Sequence, residues 1–124
     1  MSTEDRGDRM RRASPDAPDR VRLGDSTVRR MAFGAMRLAG PGIWGPPAAR
    51  DHSIRLARGA VELGVDHIDT ADAYGFGVVE DILREALHPY PDRPLIATKV
   101  GQVQPRPGAW VPVGRPALLA TSAR

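Results

Sequence analysis

Regular spacing of apolar residues first appears at Thr27–Leu38 (TVRRMAFGAMRL), where Val28, Met31, Phe33, Met36 and Leu38 mostly alternate with other residues. That alternation predicts a strand, and Gly34 marks the point where it opens into a loop. The loop AGPGIWGPP carries Ile43 and Trp44, side chains that are costly to leave in water, so it is expected to cover something. From Ala48 to Leu63, Ile54, Ala57 and Val61 recur at helical spacing. Leu56, Ala60 and Leu63 lie on their flank, and Arg50, Arg55, Arg58 and Glu62 fill the opposite face. Gly64 stops this helix as a C′ glycine would. Val65–Thr70 (VDHIDT) reads as a second strand, ADAYGFG as a turn, and Val78–Leu87 as a second amphipathic helix with Glu80 and Asp81 favourably placed in its opening turn. Pro94–Val100 (PLIATKV) is an apolar strand of the kind buried on both faces.

Strand, helix, strand, helix, strand is the order of a parallel α/β architecture with right-handed crossovers. The remainder reads as a long Gly/Pro loop followed by a helix-like stretch at Arg115–Ser122, with no fourth strand. A (β/α)8 barrel takes roughly 200 to 250 residues. The expected fold is therefore α/β, a partial (β/α)8 TIM barrel limited to its first three βα units, with two open sheet edges. Residues 1–24 mix charges with Ser, Pro and Gly and lack apolar periodicity, which predicts a flexible, disordered leader before a folded unit at 25–124.

Composition narrows the function classes. Of 124 residues, 41% are hydrophobic and 27% charged, an ordinary globular balance. With no cysteine, disulfides and thiolate metal sites are excluded. No apolar run approaches the ~20 residues of a membrane-spanning helix, and the basic N-terminus has no apolar core behind it, so neither a membrane partner nor a secretory signal is expected and the protein should be cytoplasmic. The net charge of +3 comes from 17 Arg and a single Lys, Lys99, out of 18 basic residues. Arg9, Arg11 and Arg12 form the densest basic group, but Asp5, Asp8, Asp16 and Asp19 are interleaved with it and largely cancel its field. A solvated tail fits that pattern better than a nucleic-acid-binding arm.

In parallel sheets, functional residues gather at the carboxyl ends of the strands. Asp69 ends the second strand, Tyr74 lies in the loop after it, and Lys99 ends the third. Neighbouring strands run about 5 Å apart, so Asp69 and Lys99 are expected to form a buried ion pair with the Tyr74 hydroxyl within reach. Such a trio suits carbonyl reduction. The negative charge that develops on oxygen needs a proton donor, and a cation beside a phenol favours its phenolate. A strand-end Asp that merely caps a turn, a packed loop Tyr and a snorkelling Lys are the competing structural reading. His67 and His52 lack a partner at ligand spacing, so no metal is expected.

HIDTADAYGFGVVEDILREAL (His67–Leu87) resembles the signature of the aldo-keto reductases, in which an Asp and a nearby Tyr flank a short turn before a helix that begins with Glu. LIATKV is similar to that family's lysine strand, and FGAMRL (Phe33–Leu38) to its first strand and following loop. Together with the GPGIWGPP loop, these segments place about residues 27–118 on the N-terminal third of the family's barrel. The resemblance implies catalytic roles for Asp69, Tyr74 and Lys99, and contact of Gly34, Ala35 and Met36, with Asp69, to the nicotinamide end of NADPH. It implies reduction of aldehyde and ketone carbonyls to alcohols, without a Rossmann domain or a metal. The family's fourth catalytic residue, a histidine on the next strand in a segment like LDLYLIH, would lie beyond Arg124, as would the loops that bind the rest of the cofactor and select substrate. The expectation is an incomplete chain of an NADPH-dependent reductase. An inactive relic that uses its open sheet edges as an interaction module is the alternative.

Overall fold

Residues 19–89 and 94–123 are described by the computed structural model. Three very short parallel strands form its centre: β3 (Phe33–Gly34), β4 (His67–Asp69) and β5 (Leu95–Ala97), in the order β3-β4-β5. Phe33 pairs with Ile68 and Gly34 with Asp69, while His67, Ile68 and Asp69 face Leu95, Ile96 and Ala97. The ladder continues past its formal end, because the Thr70 N–H donates to the Ala97 carbonyl (2.8 Å) and the Asp72 N–H to that of Lys99 (3.2 Å).

Helix α1 (Arg50–Glu62) and helix α2 (Val78–Leu87) supply the crossovers and pack on one another. Their apolar stripes explain why: Ile54 and Ala57 from α1 and Val79, Ile82 and Leu83 from α2 enclose Ile68, together with Ala35, Leu38 and Ala39. Ile68 is fully buried, a burial that contributes about 1.5–3 kcal/mol. Arg50 bridges the helices through Glu85 (2.9 Å), and the Arg58 guanidinium donates to the carbonyls of Glu85 and Ala86, groups that the last turn of α2 leaves without helical partners. The helix-and-turn pattern thus has the expected cause. The flank of α1 differs: Leu56 and Leu63 are exposed, with Leu63 at 86%.

Two hairpins depart from expectation. Of the segment expected to be a disordered leader, residues 1–18 lie outside the described residues. Arg20–Leu23 forms strand β1, however, antiparallel to β2 (Ser26–Arg29). Order therefore begins well before residue 25. The reason is a buried polar anchor with no apolar periodicity: Asp66, at the N-terminal end of β4, takes the Arg29 N–H on one oxygen (2.8 Å) and faces the Arg20 guanidinium with the other (3.5 Å), both side chains being 3% exposed. The single strand expected over Thr27–Leu38 is correspondingly broken in two: β2 belongs to the hairpin, β3 to the sheet, and Ala35–Leu38 is a short 3-10 turn.

The second hairpin, β6 (Gln102–Arg106) with β7 (Ala109–Pro112), occupies what reads in the sequence as loop. Gln104 is 2% exposed and donates to the Gly42 carbonyl (3.1 Å), tying the hairpin across to the loop after β3. Helix α3 (Pro116–Ser122) follows. Strand β5, expected to be buried on both faces, is half-buried, because among the described residues no strand pairs with its outer edge.

Candidate active site at the carboxyl ends of the strands

Two of the three expected site residues are brought into direct contact. The Lys99 ammonium donates to both Asp69 oxygens (2.9 Å each) and to the Thr70 carbonyl (2.7 Å). Three acceptor atoms thus converge on the ammonium from Asp69 and Thr70. Tyr74 completes the group, its ring centroid 5.4 Å from Lys99 Nζ. Asp69 and Lys99 meet because the register places Asp69 opposite Ala97, two residues before the lysine. The expectation of a buried ion pair needs correction: the two side chains are 51% and 49% exposed, since the top of this three-stranded sheet is open. Burial alone would lower the lysine pKa. That effect is outweighed by the hydrogen bond to Asp69, the charges of Tyr74 and Asp69, and hydrogen bonding to Tyr74, which together raise it above the usual 10.5. The ammonium stays charged across the neutral range.

The turn that carries Tyr74 is held by strained backbone. Phe76 (φ 59°) and Ile43 (φ 60°) are non-glycine residues in left-handed geometry, a conformation that persists only where neighbours enforce it. Here the neighbours are each other's loops. Trp44 meets Phe76 edge-on at 4.3 Å, and Gly75 lies so close to the Gly45 carbonyl that a Cβ would stand 2.9 Å from that oxygen. The loop 39–47 therefore covers the turn 74–77, as its exposed-looking Ile43 and Trp44 suggested.

Of the expected cofactor contacts, Gly34 lies beside Asp69 in the sheet, with open space where a side chain would begin. Met36 is 38% exposed and faces a cavity of about 540 Å³ lined also by Arg37 and the loop from Ala39 to Ile43. Ala35 is fully buried in the core, backbone included, so it offers no exposed surface to a ligand. A second cavity of about 400 Å³ adjoins Tyr74 and Lys99 and is walled by Ala71, Val100 and Trp110. Among the described residues no three His, Cys, Asp or Glu side chains cluster as metal ligands, and no helix is long and apolar enough to cross a membrane. Sequence reasoning missed the Thr70 carbonyl as a lysine ligand, because a backbone acceptor has no residue-type signal. It also missed Gln104, whose isolated polar position within a Gly/Pro-rich segment gave no periodicity to read.

Residues 30–124 match the model of the aldo/keto reductase family. This chain belongs to that family. Its relatives include a pyridoxine 4-dehydrogenase of Escherichia coli, 48% identical over 97 residues that make up 78% of this chain and 34% of the relative. An uncharacterized oxidoreductase of Schizosaccharomyces pombe is 48% identical over 99 residues, 80% of this chain and 32% of that protein. Among solved structures, a glycerol dehydrogenase from Gluconobacter oxydans superposes with a TM-score of 0.69 at 31% identity, covering 85% of this chain and 33% of that one. An aldo-keto reductase from Bacillus halodurans, in its holo form, gives 0.65 at 26% identity, covering 83% and 33%. The chain thus spans about a third of the length of these aldo/keto reductases, and its three-stranded sheet is part of their TIM barrel. Aldo-keto reductases as a family are oxidoreductases that use nicotinamide cofactors and act on small carbonyl compounds.

Proposed function

We propose that this chain contributes the proton-donating part of an NADPH-dependent reductase that converts aldehydes and ketones to alcohols, with Asp69, Tyr74 and Lys99 as its catalytic residues. The observation that carries the reading is the three-point anchoring of the sequence's one lysine beside Tyr74, at the strand ends where barrel enzymes keep their chemistry. The exposed strip at Gly34 and Met36, with no Cβ to fill the space next to Asp69, fits a flat nicotinamide ring. When bound, NADPH supplies the hydride.

The chain's own residues handle the proton. The Tyr74 hydroxyl donates it to the carbonyl oxygen as negative charge develops there. The Lys99 ammonium stabilises the phenolate left behind, and it needs no movement to do so because Asp69 and the Thr70 carbonyl already hold it. Asp69 thus serves as the counter-charge that keeps the cation in place, and the loop 39–47 braces the turn from which Tyr74 projects.

The 48% identity to a pyridoxine 4-dehydrogenase makes pyridoxine, assayed in the oxidative direction with NADP, the first substrate to test alongside a panel of simple aldehydes assayed with NADPH. Turnover followed by cofactor absorbance is expected to fall about 10²- to 10⁴-fold in Tyr74→Phe, the range for losing a general acid. Undiminished turnover in that variant would refute the role.

A further inference from the structure

Thr98 immediately precedes Lys99, and its hydroxyl donates a hydrogen bond to Glu80 Oε1 on the first turn of α2. The position of this contact gives it weight. Strand β5 ends at Ala97, the ladder bonds that continue past it fall on the Ala97 and Lys99 carbonyls, and Thr98 and Lys99 are both exposed. Lys99 has to place its nitrogen on three acceptors at once from exposed backbone whose own tie to the sheet is the bond from the Asp72 N–H to the Lys99 carbonyl. A cavity of about 280 Å³ opens among Thr98, Glu80, Thr70, Ile96, Leu83 and Arg84. Packing therefore does not hold Thr98 against α2 there. The hydrogen bond does, and a hydroxyl bonded to a carboxylate is of the strong, charge-assisted kind.

We propose that Glu80 is a positioning residue for Lys99, acting through the Thr98 hydroxyl. Glu80 fixes the backbone from which the lysine starts, and Asp69 and Thr70 fix where its nitrogen ends. The consequence for turnover rests on the catalytic reading of Lys99, whereas the geometric claim does not. The competing account is that Glu80 only favours the N-terminus of α2 through the helix dipole. Thr98→Val separates the two, since it removes the hydrogen bond and leaves Glu80 where it is.

Lys99 is the single lysine of the sequence, so this 124-residue chain grown on isotope-labelled lysine gives one side-chain resonance, and its pH titration reports the contacts with Asp69 and Tyr74. In Thr98→Val and Glu80→Ala the midpoint is expected to fall from its raised value towards that of an ordinary lysine. Thr98→Ser, which returns the hydroxyl, should recover it. Alongside, kcat for carbonyl reduction should drop about tenfold in Thr98→Val, with the carbonyl KM within about twofold, as for an interaction made in the transition state. Circular dichroism establishes that each variant is folded, and Thr98→Val decides the matter if Glu80→Ala is not. A folded Thr98→Val with an unshifted midpoint would overturn the proposal, as would failure of Thr98→Ser to restore it. If turnover is undiminished in Tyr74→Phe, the proposed function fails instead, and the titration still decides the positioning role.

Discussion

Asp66 and Asp69 lie three residues apart, one just before β4 and one at its end, and their surroundings differ. Asp66 sits at the bottom of the sheet, enclosed with Arg20, each side chain 3% exposed. Asp66→Asn keeps an acceptor for the Arg29 N–H at 2.8 Å, but it strips the charge that faces the buried guanidinium. Leaving one partner of a buried pair uncompensated costs about 3–5 kcal/mol. Asp66→Ala also orphans the Arg29 N–H, which adds about 1–3 kcal/mol. Against a total stability of about 5–15 kcal/mol for a domain, either loss is large. Peeling the β1–β2 hairpin off the sheet would return Arg20 to water, so the docking energy of the hairpin caps the loss, and local opening should precede global unfolding. Denaturant unfolding followed by circular dichroism measures the global cost, and hydrogen exchange at the Arg29 and Arg30 amides measures the local one. The Lys99 titration should be unchanged. An Asp66→Asn protein within about 1 kcal/mol of the parent, with Arg29 as protected as before, would refute the argument.

Three further outcomes follow from the same structure. Because the folded pKa of Lys99 is raised above 10.5, its ion pair stabilises fully below that pH and less as pH rises through the folded value. The stability difference between the parent and Lys99→Met should therefore be flat from neutral pH to about 10 and shrink above it, as read from denaturant midpoints across that range. Gly75→Ala forces a Cβ into left-handed backbone (φ +62°) and against the Gly45 carbonyl, which should cost at least the roughly 1–2 kcal/mol of the backbone term and lower turnover by shifting the Tyr74 turn; thermal melts and steady-state assays check both. Ile68→Ala, at the fully buried centre of the core, should lose about 2–5 kcal/mol in the same unfolding assay.

The chain's local periodicity was enough to locate α1, α2, β4 and β5 within a few residues, with α2 at Val78–Leu87 matching its expected span. These elements bury apolar stripes, and a stripe is written at the helical or strand period. Asp69, Tyr74 and Lys99 were legible for a related reason: strand-end polar residues stand out against apolar strands, and the register then brings two of them together. What local pattern could not show are the contacts made by polar residues far apart in sequence. The β1–β2 hairpin is anchored by Arg20 and Asp66, 46 residues apart, and the β6–β7 hairpin by Gln104 on the Gly42 carbonyl, 62 residues away. Each reads as loop or tail until the partner is in place. Exposure of the Asp69–Lys99 pair and the tie from Glu80 to Thr98 likewise depend on which neighbours the sheet has and where α2 docks. Residue type and spacing determined which polar groups gather at the strand ends; only the packed chain decided what holds them still, because long-range hydrogen bonds and burial belong to no single segment.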